Sequence, residues 1–248
     1  MTADRDIPAT VEWPTGWTVR CVDSTGSTND DLIRAAARGD LTDRTVLVAA
    51  HQTAGRGRLG RTWDAPTGAN LLASIYFAAL PTYPAEITQR VGLAIVTAVS
   101  ELGEPDGHRI LLKWPNDVLV GDDKLAGVLA QRSADGPGVV VGFGVNVGWA
   151  PPGAAWLNDP AGLARRTEPH SLLAAVLREL DAQPADIAPH YRDRLATIGQ
   201  LVRVLLPGGR EQVGRAVRVT ADGALVVAGD DGVEHRFDAG DVIHLRPR

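Results

Sequence analysis

A short stretch rich in arginine and glycine, residues 52–63, brings together side chains suited to phosphate chemistry. Its sequence is Gln-Thr-Ala-Gly-Arg-Gly-Arg-Leu-Gly-Arg-Thr-Trp, and it directly follows an apolar, β-branched run. Glycine lacks a Cβ, so its backbone amides can approach a ligand closely. Arginine offers a fixed, always-charged fork that matches carboxylate and phosphate oxygens. The stretch therefore predicts a loop that closes over an anion.

Two lysine clusters supply further candidates. Lys-Trp-Pro-Asn-Asp at 113–117 places Lys113 and Asp117 at the junction of two predicted strands. That arrangement suits either a cation beside a metal-binding carboxylate or a purely structural ion pair. Lys124 opens another predicted strand, and the missing side chain of Gly127 leaves space for a pocket into which this lysine can project.

A predicted strand at 141–148, Val-Gly-Phe-Gly-Val-Asn-Val-Gly, carries glycines at alternate positions. Gly142 and Gly144 fall on one face, because side chains of a strand alternate between its two faces. A flat apolar ligand can lie against such a face, and Asn146 can then reach its polar end.

The triplet Ser27-Thr28-Asn29 precedes a predicted helix. Ser27 or Thr28 can cap that helix, whose first turn is acidic, as the helix dipole favours. The same hydroxyl and amide groups can instead bind a polar or anionic part of a ligand at the helix N-terminus. A simple cap and a ligand site both fit this triplet.

Other interpretations of the arginine loop fit the sequence less well. Its glycines spell Gly-x-Gly-x-x-Gly, but a dinucleotide-binding fingerprint must open a helix, and here a strand comes next. The chain has neither a Walker loop nor a Gly-x-Ser-x-Gly nucleophile elbow. An arm in the minor groove of DNA is disfavoured by the acidic net charge. A plain solvated loop remains the simplest alternative.

The composition is that of an ordinary globular protein, with 44% hydrophobic and 22% charged residues among 248. The net charge of −5 disfavours a broad nucleic-acid surface, so an anion site must be local. The single cysteine, Cys21, precludes an internal disulfide, and no Cys/His pair has zinc-ligand spacing. Without a signal peptide or an apolar run of about 18 residues, we expect a cytoplasmic protein that does not span a membrane.

Hydrophobic periodicity predicts strands mixed with helices up to about residue 198 and strands alone beyond it. The predicted strands cover 17–23, 45–50, 71–78, 109–113, 118–120, 125–131 and 139–147, and the predicted helices 28–38, 84–102, 168–180 and 185–195. Beyond residue 199, about five short strands separated by glycine turns indicate a small SH3-like barrel. We therefore predict an α/β (α+β) fold with domains at 1–198 and 199–248.

Taken together, these clusters resemble the biotin protein ligase family. Its motifs Ser-Thr-Asn, Gln-x-x-Gly-Arg-Gly-Arg-x-Gly-Arg, Lys-Trp-Pro-Asn-Asp, Lys-Leu-Ala-Gly and Gly-x-Gly-x-Asn stand in that order between residues 27 and 148. The resemblance implies a class II synthetase-like catalytic domain, with a mixed sheet flanked by helices, followed by an SH3-like barrel. It also implies that biotin and MgATP form biotinyl-5′-adenylate, and that biotin then passes to one lysine of a biotin carboxyl carrier domain of an acyl-CoA carboxylase.

The resemblance also implies residue roles. Binding of biotin and the adenylate is expected for Ser27, Thr28, Asn29, Gln52, Gly55, Arg56, Gly57, Arg58, Arg61, Trp63, Lys124, Gly127, Gly142, Gly144 and Asn146. Catalytic roles are expected for Lys113, Lys124, Arg58 and Asp117, and Asp117 is also the candidate Mg²⁺ ligand. In this scheme the hydroxyls and Gln52 bind the ureido head, and Trp63 packs beside the adenine or the loop. Lys124 counters charge that develops at the α-phosphate.

Two departures from the family pattern bear on function. Leu59 stands where some members carry a basic residue, and the residues before 20 are too few for the winged-helix repressor domain of some bacterial members. No DNA binding is therefore expected. A non-catalytic biotin or nucleotide sensor and a lipoate ligase-like enzyme are the alternatives. The sequence does not determine the oligomeric state, the carrier protein, the binding order or the role of the barrel.

Overall fold

The computed structural model describes residues 11–103, 109–132, 138–159, 166–206, 209–238 and 240–245. Within them the strands are β1 Thr18–Thr25, β2 Thr45–Gln52, β3 Leu71–Phe77, β4 Ile110–Lys113, β5 Asp117–Val120, β6 Asp123–Gln131, β7 Val139–Val145, β8 Leu201–Leu205, β9 Glu211–Val219, β10 Leu225–Ala228, β11 Glu234–Phe237 and β12 Asp241–His244. The α-helices are α1 Thr28–Ala37, α2 Ala85–Ser100, α3 Pro169–Ala182 and α4 Ala188–Asp193.

The first seven strands form one mixed sheet, in the order β1-β2-β3-β7-β6-β5-β4. β1 and β2 are parallel, and every other neighbouring pair is antiparallel. β3 and β7 are almost entirely buried, which explains their continuous apolar sequences. The mixed sheet that the sequence analysis predicted is thus confirmed.

Helices cover the two faces of this sheet. On β2, Leu47 and Ala49 pack in the cluster that includes Leu32 of α1, whereas Val46 and Val48 belong to the larger core beside α2 and α3. This division follows from the alternation of side chains along a strand. The α1 N-terminus is therefore held on one face of the sheet, beside β3 and β7.

The last five strands form a second, antiparallel sheet in the order β11-β10-β9-β8-β12. Trp114, next to the cis peptide bond to Pro115, links the two sheets. Its backbone N–H donates to Thr197 Oγ1 at 3.0 Å, and its indole N–H donates to Gly223 O at 2.9 Å. Five predicted C-terminal strands are present, while the domain boundary at 198/199 stays a prediction.

The elements differ from expectation mainly inside the arginine loop and at their ends. Arg58–Gly60 form a 3₁₀ turn, in which Leu59 takes a φ of 56°. The last predicted helix is shorter than expected, since α4 ends at Asp193. The N-terminal residues 1–10 lie outside the described part. Among the described helices, none is long and apolar enough to cross a membrane.

Candidate functional site

A cavity of about 320 Å³ lies where the α1 N-terminus, the arginine loop and the strands β6 and β7 meet. Most of the predicted site residues line it: Ser27, Thr28, Asn29, Gln52, Arg56, Gly57, Arg58, Arg61, Trp63, Asp117, Lys124, Gly127, Gly142, Gly144 and Asn146. Two predicted residues do not. Gly55 is buried under the loop, where a Cβ would overlap the backbone of Trp63, and Lys113 lies behind Asp117, its partner across β4 and β5.

One end of the cavity is built from hydroxyl and amide groups. Ser27 is the N-cap of α1 and accepts a hydrogen bond from the backbone N–H of Asp30 at 3.4 Å. The backbone N–H of Thr28 donates to Gln52 Oε1 at 2.8 Å. The helix cap and the cavity wall are therefore the same residues, so the two interpretations of this triplet are compatible.

Asn29, also in this wall, is held by residues that the sequence analysis did not identify. Its amide Nδ2 donates to Gln131 Oε1 at 2.7 Å and to Leu129 O at 3.2 Å, and its Oδ1 accepts from Ser74 Oγ at 2.6 Å. Ser74, in the otherwise hydrophobic β3, was the available signal, because a buried hydroxyl needs partners.

The glycines of β7 line the cavity and also make room for protein side chains, while their expected contact with a flat ligand stays a prediction. A Cβ on Gly142 would overlap the side-chain amide of Asn29, and one on Gly144 would overlap the indole of Trp63. Trp63 therefore covers the bare face of β7. The indole lies beside Lys124, whose Nζ is 5.5 Å from the ring centroid.

The other end of the cavity is cationic. Lys124 Nζ lies 2.6 Å from Asp117 Oδ1. Burial lowers the pKa of Lys113, with Asp117 opposing that effect and Lys124 adding to it. Burial also lowers the pKa of Arg58, again opposed by Asp117 and reinforced by Arg61. Partial burial and the neighbouring positive charges destabilise these charged side chains. A bound anion would offset both effects, so the site favours anion binding.

The arginine loop is held by carboxylates from distant parts of the chain. Arg56 forms an ion pair with Asp30 of α1, and Arg61 forms one with Asp241 of β12. Arg58 Nη2 donates to Gly240 O at 3.3 Å. The second sheet therefore reaches the site, through contacts that sequence patterns did not reveal.

Two buried donors on the cavity wall have no hydrogen-bond partner among the described residues. They are Trp63 Nε1 and Arg58 Nε. Buried N–H groups are normally paired, so these two donors are sites where a ligand or an ordered water can supply an acceptor.

Asn146 differs from these donors, because its amide already has protein partners. Its Nδ2 donates to Ala155 O at 2.9 Å and to Lys124 O at 3.4 Å, and its Oδ1 accepts from Asn70 at 3.3 Å. The residue lines the cavity, but it also fixes the neighbouring backbone. Its expected contact with the nucleotide stays a prediction.

No cluster of three or more His, Cys, Asp or Glu side chains suited to a metal occurs in the part of the chain that the structure describes. Asp117 is a carboxylate on the cavity wall beside the cations. Magnesium is commonly held by one or two carboxylates together with substrate phosphates. Asp117 therefore fits a Mg²⁺ that arrives with a nucleotide.

Comparisons with known proteins identify the family to which the chain belongs. Residues 19–147 match the Biotin/lipoate A/B protein ligase family, and residues 197–245 match the Biotin protein ligase C terminal domain. The biotin--[acetyl-CoA-carboxylase] ligase of Mycobacterium tuberculosis is 40% identical over 249 residues, which cover 93% of this chain and 91% of that protein. The bifunctional ligase/repressor BirA of Escherichia coli is 29% identical, over 87% of this chain and 70% of that protein.

Solved structures show the same fold. The biotin protein ligase from Aquifex aeolicus in complex with biotin and ATP matches with a TM-score of 0.77 and 24% identity, over 93% of this chain and 99% of that one. The enzyme from Leishmania major in complex with biotinyl-5-AMP matches with a TM-score of 0.62 and 27% identity, over 90% and 99%. With both of its sheets matched, this chain belongs to the biotin/lipoate A/B protein ligase family and, within it, to the biotin protein ligases.

Proposed function

We propose that this chain is an ATP-dependent biotin protein ligase that activates biotin and transfers it to a carrier protein. In the first step an oxygen of the biotin carboxylate attacks the α-phosphorus of ATP. The bond to the β-phosphate oxygen breaks, so that biotinyl-5′-adenylate and pyrophosphate form. In the second step a lysine amine attacks the acyl carbon, AMP leaves, and the amine loses a proton.

The polarity of the cavity is the observation that supports this proposal. Hydroxyl and amide groups, including Thr28 and Gln52, line one end, which suits the cyclic urea of biotin. Lys124 and the loop arginines line the other end, which suits a carboxylate meeting a phosphate. The unpartnered N–H groups of Trp63 and Arg58 lie on the same wall.

This arrangement supports the following residue roles. Arg58 and Arg61 bind phosphate oxygens, and Lys124 offsets the charge that develops as the carboxylate and the α-phosphate approach. Catalysis is then by positioning and charge, since no residue serves as a covalent nucleophile. Asp117 orients Lys124 at 2.6 Å and holds Mg²⁺ when MgATP binds. A Mg²⁺ held there would supply charge neutralisation at the phosphates.

The acceptor in the second step is the biotin carboxyl carrier domain of an acyl-CoA carboxylase. Support comes from the Mycobacterium tuberculosis relative, whose name specifies acetyl-CoA carboxylase. The cytoplasmic location expected from the sequence stays a prediction.

The test combines biotin, MgATP and a purified biotin carboxyl carrier domain, and it measures pyrophosphate release and mass addition at the carrier lysine. We expect both, and Lys124→Gln should lower pyrophosphate release by about 100-fold, as for removal of other preorganised electrostatic groups. Arg38→Gln, at an exposed residue paired with Asp40, is the control and should keep wild-type rates.

Three outcomes would contradict the proposal. Biotin binding without pyrophosphate release would identify a sensor. Activation of lipoate instead of biotin would identify a lipoate ligase-like enzyme. Normal turnover in Lys124→Gln would remove the role given to that lysine.

A further inference from the structure

Ser74 lies directly behind the polar end of the cavity. It belongs to β3, it is fully buried, and it lines the cavity beside Thr28 and Asn29. Its Oγ is 2.7 Å from Thr28 Oγ1 and 2.6 Å from Asn29 Oδ1. Both distances are those of good O–H···O hydrogen bonds.

The backbone carbonyl of Leu129 determines which side-chain atom of Asn29 donates and which accepts. The side chain of Asn29 approaches Leu129 O at 3.2 Å, and a carbonyl oxygen can only accept. The amide nitrogen of Asn29 must therefore point to Leu129, and its Oδ1 must point to Ser74. Ser74 consequently donates its single hydroxyl proton to Asn29.

Thr28 can then donate to Ser74 but cannot accept from it. Its other hydrogen-bond neighbour among the described residues is Gln52 Oε1, at 3.1 Å. The backbone N–H of Thr28, which can only donate, fixes that atom as the oxygen of the amide, at 2.8 Å. Ser74 Oγ and Gln52 Oε1, the two described neighbours of the Thr28 hydroxyl, are thus both acceptors. The Thr28 hydroxyl therefore donates its proton to one of them.

We propose that Ser74 is a positioning residue that sets the polarity of the Thr28 hydroxyl, so that this hydroxyl faces the ligand only as a hydrogen-bond acceptor. The inference rests on the proposed function. A hydroxyl held in this way selects a ligand with an N–H at that position and disfavours one with an acceptor there. The network therefore selects the N–H groups of a cyclic urea, and Ser74 contributes to specificity without touching the reacting atoms.

Removing Ser74 tests this polarity directly. In Ser74→Ala the hydroxyl of Thr28 keeps only the longer contact to Gln52 Oε1, an atom that already accepts one hydrogen bond. In Asn29→Ala the proton of Ser74 is free to be donated to Thr28, so that Gln52 Oε1 alone among the described neighbours keeps the Thr28 proton away from the ligand. Both changes should weaken recognition of a ligand N–H.

The experiment compares the Kd of biotin with that of an analogue whose two ureido N–H groups are replaced by oxygen. Wild-type protein should prefer biotin strongly. In Ser74→Ala and in Asn29→Ala the ratio of the two Kd values should fall by about 3- to 10-fold, the worth of one hydrogen bond. Ser100→Ala is the matched control, because its buried hydroxyl on α2 has no hydrogen-bond partner among the described residues and lies outside the cavity.

A merely structural role for Ser74 predicts a different result. Both Kd values would then rise together and their ratio would be unchanged, which would overturn the inference. If Ser74→Ala does not fold, the ratio in Asn29→Ala decides the question in the same way. Failure of the wild-type protein to bind biotin or to release pyrophosphate would instead refute the proposed function, so the two failures are distinguishable.

Discussion

Trp63 and Gly144, which lies beneath its indole ring, determine the shape of the middle of the cavity. The indole lies on the bare face of β7, its Nε1 is buried without a partner among the described residues, and a Cβ on Gly144 would overlap the ring. A methyl group added at Gly144 cannot fit without moving the whole indole, because the overlapping atoms belong to a rigid ring. The position of Trp63 is therefore set by the absence of one side chain.

Gly144→Ala should displace Trp63 and weaken ATP use. Overpacking typically costs about 1–3 kcal/mol, and we expect the KM for ATP in pyrophosphate release to rise by about tenfold. Gly26→Ala is the matched control, because a Cβ at that exposed glycine would meet nothing within 4 Å. Equal KM values in the two variants would show that Trp63 does not contact the nucleotide.

Among the secondary-structure elements, β12 has an effect on the site that its sequence position does not suggest. Asp241, at its first residue, pairs with Arg61 of the arginine loop. In the proposed mechanism Arg61 binds phosphate, so the carboxylate of Asp241 and a phosphate compete for the same guanidinium. We therefore expect the second sheet to moderate the affinity of the loop for ATP.

Asp241→Asn should lower the KM for ATP, because the neutral amide no longer competes for Arg61. Exposed ion pairs are worth about 0.2–1 kcal/mol, so the expected decrease is about 2- to 5-fold, measured by pyrophosphate release. Asp238→Asn, which alters an exposed pair with Arg236, is the control. A higher KM in Asp241→Asn would indicate that this pair orders the loop.

Sequence patterns predict elements well where the signal is local. The continuous apolar run of β2 and the Ser27 cap of α1 each identify an element within a few residues. The 3₁₀ turn at Arg58–Gly60 was not predicted, because it depends on Leu59 adopting a positive φ, which leucine rarely favours. The contact between Arg58 and Gly240 joins residues 182 positions apart, and no local pattern encodes it.

Across the full chain, the motifs identify the residues on the cavity wall but not those that hold them. Fifteen of the seventeen predicted site residues line the cavity. Ser74, Gln131 and Asp241 were missed, since each lies in a segment whose sequence reads as an ordinary strand. Supporting residues are defined by three-dimensional proximity, whereas motifs are defined by spacing along the chain.

The chain contains very few side-chain amines, which matters because the proposed product reacts with amines. The sequence contains 25 lysines and arginines, and only Lys113 and Lys124 are lysines. Lys124 lines the cavity and forms an ion pair with Asp117, and Lys113 lies opposite Asp117 in the register of β4 and β5. A biotinyl adenylate that escapes from the site reacts with free amines, whereas guanidinium groups stay protonated and do not react.

We therefore expect the protein to resist labelling by its own product. After incubation with biotin and MgATP without a carrier, peptide mass spectrometry should find almost no biotin on its side chains, while an added lysine-rich bystander protein acquires some. The variant Arg34→Lys/Arg38→Lys, which places amines on the exposed face of α1, should become labelled at those positions because its surface then offers nucleophiles. Heavy labelling of the wild-type protein at Lys113 or Lys124 would contradict this, and would mean that the site lysines meet the acyl group as free amines.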